Sequence, residues 1–199
     1  MTLQNRVSPF GVFDADPARG TMMGNRGCLV NADGELVRRW QVERWITCVL
    51  EFKGRMRRPL MAPGHYTELF FLDEATACAA GHRPCHECRR ADAERFLAAW
   101  ATVHPRDTRL PEVDARLQRE RTRDAHQRAV YAELPDGAIV SLDGRAWLVV
   151  DGGLRAWTPA GYTDHRASPV RPVTVLTPPS TLAAMRAGWR PGVHLSARP

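Results

Sequence analysis

Two cysteines with two residues between them, Cys85 and Cys88, stand directly behind a helix stop in the stretch Gly81-His82-Arg83-Pro84-Cys85-His86-Glu87-Cys88-Arg89-Arg90. No other ten residues restrict this chain as much. The spacing lets both sulfurs reach one ion, and soft thiolates in tetrahedral geometry suit Zn²⁺ at roughly 2.3 Å from each sulfur. Pro84 sets the backbone ahead of the first sulfur, and Gly81 closes the Ala-rich run 74–80 as a C-terminal helix stop. The pair is therefore expected at a helix end, as half of a structural metal site. The flanking charge argues against Cys85 and Cys88 as ordinary apolar core residues. A thioredoxin-like redox pair follows a strand and carries little charge between its cysteines, whereas this one follows a helix and encloses His86 and Glu87.

A chain of 199 residues can bury one good core, or two small ones, without disulfides. There is no apolar leader at the N-terminus and no run near the roughly 20 apolar residues of a membrane span, so a soluble, cytoplasmic protein with no membrane partner is expected. In a reducing compartment the five cysteines, Cys28, Cys48, Cys78, Cys85 and Cys88, read as ligands or packed thiols. The net charge is +6 and Lys53 is the single lysine, so nearly all the basic charge is arginine. That balance favours a phosphate or polyanion as partner.

The fold class read from the pattern is α+β: a zinc-thiolate strand-helix-knuckle-helix unit, then an antiparallel β-rich half with a C-terminal helix. Residues 1–102 form the first unit with an irregular arm at 1–20, residues 103–133 a charged helix or linker, and residues 134–199 a β-meander plus helix packed on the first unit. Within the first unit, 19–27 holds three glycines between arginines and could bring amides near a phosphate. It lacks the Gly-Lys-Ser/Thr ending of a P-loop, and reads as a turn before a strand at 28–30. Strands are expected at 35–39, 45–52 and 66–72, with Cys48 on the apolar face of the second. Asp73 is the expected N-cap of the helix at 74–80, in which Cys78 packs, and a second, amphipathic helix spans 91–102.

Residues 105–128 mix arginines with acids around few apolar positions and read as a solvated helix or linker. Beyond 134, turn signals such as Asp143-Gly144 and Asp151-Gly152-Gly153 separate strands at 139–142, 146–150 and 154–157. A last strand at 173–176 leads to a helix at 179–187, with proline in its first turn and Gly188 at its stop, and an irregular tail follows. Ala80-Gly81-His82-Arg83-Pro84 is echoed by Ala187-Gly188-Trp189-Arg190-Pro191, either as a worn duplication or as one solution to leaving a helix used twice.

Residues 69–88, an aromatic strand, an Ala-rich helix and Gly-His-Arg-Pro-Cys-x-x-Cys, resemble the second half of the Ada-type metal-binding domain. The resemblance implies a zinc-thiolate domain of the kind that, in that family, contacts DNA backbone and repairs methylated phosphates through a zinc-bound cysteine. Cys85 and Cys88 carry over directly. The family's first pair, Cys-x-x-x-Cys, has no counterpart before Leu69. Zinc takes four ligands in a closed site, so Cys48 and Cys28 are the expected third and fourth, with His65 and His82 as rivals.

Three functions follow. The first is a zinc-supported nucleic-acid-binding protein, DNA foremost, in which Arg55, Arg57, Arg58, Arg83, Arg89 and Arg90 contact phosphates. The second is a zinc-dependent hydrolase or nuclease with an open metal position and Glu87 or a histidine as base, although no HExxH, paired carboxylates or Gly-x-Ser-x-Gly is present. The third is a structural or interaction module.

Overall fold

A computed structural model describes residues 2–54, 59–122, 127–169 and 171–198. It is an α+β chain built on two sheets. The first is a six-stranded mixed sheet made of β1 (Arg6–Val7), β2 (Phe13–Asp14), β3 (Met22–Asn25), β4 (Ile46–Cys48), β5 (Leu69–Phe71) and β6 (Arg83–Pro84), in the order β2-β1-β5-β3-β4-β6. Its two parallel pairings are β1 with β5 and β4 with β6. The second is antiparallel throughout: β7 (Gln127–Ala129), β8 (Ile139–Leu142), β9 (Arg145–Val150), β10 (Gly153–Thr158), β11 (Gly161–Ala167) and β12 (Val173–Val175), in the order β11-β10-β9-β8-β12-β7. Between and around them lie α1 (Glu74–Ala79), α2 (Arg90–Val103), α3 (Leu110–Thr122) and α4 (Pro179–Arg186).

Helix α1 is short and buried at every position. The Asp73 side chain accepts the N–H of Thr76 at 2.8 Å, which satisfies one of the orphan donors of the first turn. Gly81 ends the helix at φ +87°, where a Cβ would be strained, and the N–H of His82 turns back to the carbonyl of Ala77. Helix α4 ends in the same way: Gly188 has φ +104° and the N–H of Trp189 returns to Ala184. The sequence echo is thus a shared helix-ending geometry.

Small residues let α1 serve both sheets. Ala77 and Ala80 pack with Val7, Leu29, Leu69 and Phe71 under the first sheet, while Ala75 and Ala79 meet Ile139, Leu148 and Tyr162 of the second. A third and larger cluster draws Cys78, Phe96, Trp100 and Leu117 from the helices together with Val140, Leu154, Leu182 and Met185. Trp100 is fully buried there, and truncating such a side chain to alanine costs about 3–5 kcal/mol.

Several expectations are corrected. Residues 6–14 form the hairpin of β1 and β2, not an irregular arm. The glycine-containing segment at 19–27 contains β3, in the middle of the sheet, because Gly24 lets its backbone lie against β4: a Cβ there would stand 2.3 Å from the Ile46 carbonyl oxygen. Residues 28–30 and 35–39 are not strands and share one bridge, Val30 to Leu36. The charged stretch at 105–128 is helical, as one of its two readings has it, but it is packed and not a solvated linker. It supplies α3, with Val113, Asp114, Leu117 and Gln118 buried, and most of the edge strand β7. The meander gains β11, whose exposed polar residues masked it as a loop. The tail is pinned: Glu74 accepts the N–H of Gly192 and Asp73 that of His194.

Candidate metal centre

The centre is assembled by the parallel pairing of β4 with β6. Ile46 faces Arg83 and Thr47 faces Pro84 in register, and the N–H of Cys85 continues the ladder to the Thr47 carbonyl at 2.9 Å. Cys48, the last residue of β4, is thereby brought beside Cys85. The chain then turns through His86 and Glu87, the N–H of Arg89 closes that turn on the Cys85 carbonyl, and α2 begins at Arg90. Cys88 sits just ahead of that helix N-terminus, where the macrodipole favours a thiolate. The sulfurs of Cys48, Cys85 and Cys88 all lie within 4.8 Å of one another. Tetrahedral zinc would hold them roughly 3.8 Å apart, so the three need only small side-chain adjustments to take one ion. Cys48 and Cys85 are buried and Cys88 is partly exposed.

The hydrogen bonding around the sulfurs suits ligation. Cys85 accepts a hydrogen bond from the Cys48 thiol and others from the backbone N–H groups of Cys88 and Glu87, and these outweigh burial to pull its thiol down to about 5. Cys48 is pushed up, first by donating to Cys85 and then by burial. Burial is also the main cause that raises Cys88, against a hydrogen bond from the N–H of Val49. Backbone donors directed at sulfur stabilise negative charge there, as outer partners do around metal thiolates. The three residues therefore fit a soft divalent ion. Among the described residues no fourth His, Cys, Asp or Glu joins the group.

Cys28 is not brought to this cluster. Its sulfur lies 3.6 Å from the Val30 carbonyl in the loop after β3, because β3 and not 28–30 is the strand beside β4. Of the two rival histidines, His65 is exposed. His82 is fully buried: Arg26 donates to its Nε2, its Nδ1 meets the Ala77 carbonyl, and its ring packs on Trp45 and Phe71. Cys78 is a packed thiol inside α1, and burial raises it.

The arginines expected to touch phosphate are separated by the fold. Arg83 is 2% exposed and forms a two-pronged pair with Asp114 of α3. The Arg89 guanidinium is covered and bridges Glu74 and Asp92 at 2.7 and 2.9 Å. Neither presents a free guanidinium to a ligand, which corrects both assignments. Arg90 is exposed at the start of α2. Arg55, Arg57 and Arg58 lie outside the described residues. Sequence reasoning missed Asp114, whose acid lies in a stretch of alternating charge that gives no sign of a partner 31 positions away.

No helix among the described residues is long and apolar enough to cross a membrane. Comparison of the chain with protein-family models, with curated proteins and with solved structures finds no match.

Proposed function

We propose that this chain is a zinc-thiolate protein that contacts the phosphate backbone of nucleic acid, DNA first. The observation that carries the reading is the meeting of Cys48, Cys85 and Cys88, sulfur to sulfur within 4.8 Å, on a strand and a knuckle far apart in sequence. The ion would tie β4 to the start of α2 and supply folding energy. The resemblance of residues 69–88 to the Ada-type domain supports zinc and DNA together. The net charge of +6 and the exposed Arg90 beside the knuckle support a polyanion. Metal analysis of the purified chain should find one zinc per molecule. Binding to duplex DNA should weaken steeply with salt, and Arg57→Ala with Arg58→Ala should reduce the salt slope by about one to two units for every sequence alike. Metal-free protein of unchanged stability, or no binding to DNA or RNA at low salt, would overturn the respective half of the reading.

A second reading is a zinc-dependent hydrolase, and the three-membered ligand group favours it. Three protein ligands with a fourth position open to water or substrate is the pattern of catalytic zinc, which lowers the pKa of bound water and polarises a substrate oxygen. Glu87, exposed between two of the cysteines, would be the base. Turnover of a phosphodiester by zinc-loaded protein, lost in Glu87→Gln with zinc retained, distinguishes it.

A further inference from the structure

A cavity of about 510 Å³ opens at the other end of β4 from the thiols. Arg26, Arg39 and Arg121 line it together with Trp45, and its apolar side includes Phe10 and Pro178. Two of these arginines are placed in an unusual way. The Arg26 guanidinium is 1% exposed and stacked 4.0 Å from the Trp45 ring centre and 4.9 Å from that of Phe13. Its Nε donates to His82 and its Nη1 lies 3.4 Å from the Gly11 carbonyl oxygen, while its Nη2 has no acceptor among the described residues. Arg121 stacks 4.3 Å from the Trp45 ring centre and donates to the carbonyls of Gly81 and Glu43 and to the Gln118 side chain. Its Nη2 is likewise buried and unpartnered.

A buried cation is normally paired, because removal from water is costly and a nearby carboxylate repays it. Arg83 and Arg89 of this chain follow that rule. Arg26 and Arg121 do not, and no carboxylate oxygen of a described residue stands within ion-pair distance of either. Arg26 instead lies in the field of Arg121 and Arg39, and Arg121 feels Asp114, Glu120 and Glu43 at longer range, against Arg83. Burial, then Arg121 and Arg39, hold Arg26 well below its ordinary pKa, and burial brings Arg121 down to about 9. The one acid among the lining residues, Glu120, accepts hydrogen bonds from the backbone N–H and hydroxyl of Ser180. What the two Nη2 groups lack is an acceptor among the described residues.

We propose that the cavity binds a small organic oxyanion, a phosphate or carboxylate whose oxygens accept the unpartnered N–H groups of Arg26 and Arg121 and whose apolar body lies against Phe10 and Pro178. Arg39, exposed at the rim, draws the anion in. The volume falls in the range of roughly 300–1,000 Å³ that holds small ligands, and planar guanidinium groups match the geometry of either oxyanion. The site is separate from the thiol group and independent of metal.

The experiment is calorimetric titration of the full chain with phenyl phosphate, benzoate and inorganic phosphate, beside thermal melting. Saturable binding of phenyl phosphate or benzoate, tighter than inorganic phosphate, is expected. Arg26→Met should weaken it about ten- to hundredfold, as loss of a hydrogen bond to a charged group does. The same change should keep or raise the melting temperature without ligand, since it removes an unpaired buried cation. Arg39→Ala, at an exposed position that folding tolerates, should weaken binding about two- to fivefold. No binding of any of the three probes at millimolar concentration would overturn the proposal, and so would binding unaffected by both variants. Displacement of phenyl phosphate by an oligonucleotide at stoichiometric concentration would also overturn it, by giving the cavity to nucleic-acid phosphate.

Discussion

Arg83 and Asp114 meet through two hydrogen bonds of 2.8 and 2.7 Å, with both side chains almost wholly out of water. The pair joins the strand that leads into the cysteine knuckle to the middle of α3. Removing one partner leaves the other charge buried and uncompensated. Arg83→Met and Asp114→Leu should each cost about 3–5 kcal/mol in denaturant unfolding, and the double change should recover most of that. A loss under 1 kcal/mol for both single variants would show the pair to be solvated.

The thiol group separates Cys48 from Cys28. On the proposed zinc reading, Cys48→Ser should lower zinc affinity by about 100-fold or more, because it would remove a direct ligand, a larger loss than outer-partner changes produce. Cys28→Ser should leave affinity and stoichiometry unchanged. A chelator competition on both variants checks this, and equal losses would place Cys28 at the metal.

His82 makes stability depend on pH. Burial, with Arg26 and Arg121 as second and third causes, holds its pKa well below the ordinary 6.5, against hydrogen bonds to the Ala77 and Ala80 carbonyls. The native imidazole is therefore neutral where the unfolded one takes a proton. Its contribution is complete above pH 6.5 and is lost as pH falls toward the native pKa, at up to about 1.4 kcal/mol per pH unit. His82→Gln keeps an acceptor for Arg26 and removes the titration, so its stability profile should be flatter than the parent's between pH 5 and 6.5. Parallel profiles would assign the acid loss to other groups.

Gly24 tests the placement of β3. A Cβ at this position would meet the Ile46 carbonyl oxygen at 2.3 Å and the Phe71 ring at 3.0 Å. Gly24→Ala should cost about 3 kcal/mol or more, at the upper end of overpacking, since backbone cannot yield as a flexible side chain does. A Gly34→Ala control, where nothing lies within 4 Å but φ is +80°, should cost only about 1 kcal/mol from backbone strain. Similar small losses at both sites would return 19–27 to the surface turn.

Much of the fold is written locally. The cap at Asp73, the helix stops at Gly81 and Gly188, the helices around 91–102 and 179–187 and three strands of the meander all depend on hydrogen bonds and burial patterns a few residues long. The pairing of Cys85 with Cys88 is equally local, since two intervening residues and a proline suffice to aim both sulfurs at one point.

The partners of these local pieces were decided by tertiary structure. Sequence spacing ranks Cys28 and Cys48 alike as further ligands, yet the parallel ladder of β4 with β6 brings only Cys48 to Cys85. The same ladder leaves Arg83 where α3 supplies Asp114, so a residue legible as a phosphate contact became a buried ion pair. Arg26 shows the converse. Its charge is plain in the sequence, but its burial without an ion pair to any described carboxylate arises because β3, β4 and the end of α3 converge on Trp45. Electrostatic partnership depends on distances of a few ångströms between segments tens of residues apart, and only the packing of strands and helices in the folded chain sets those distances.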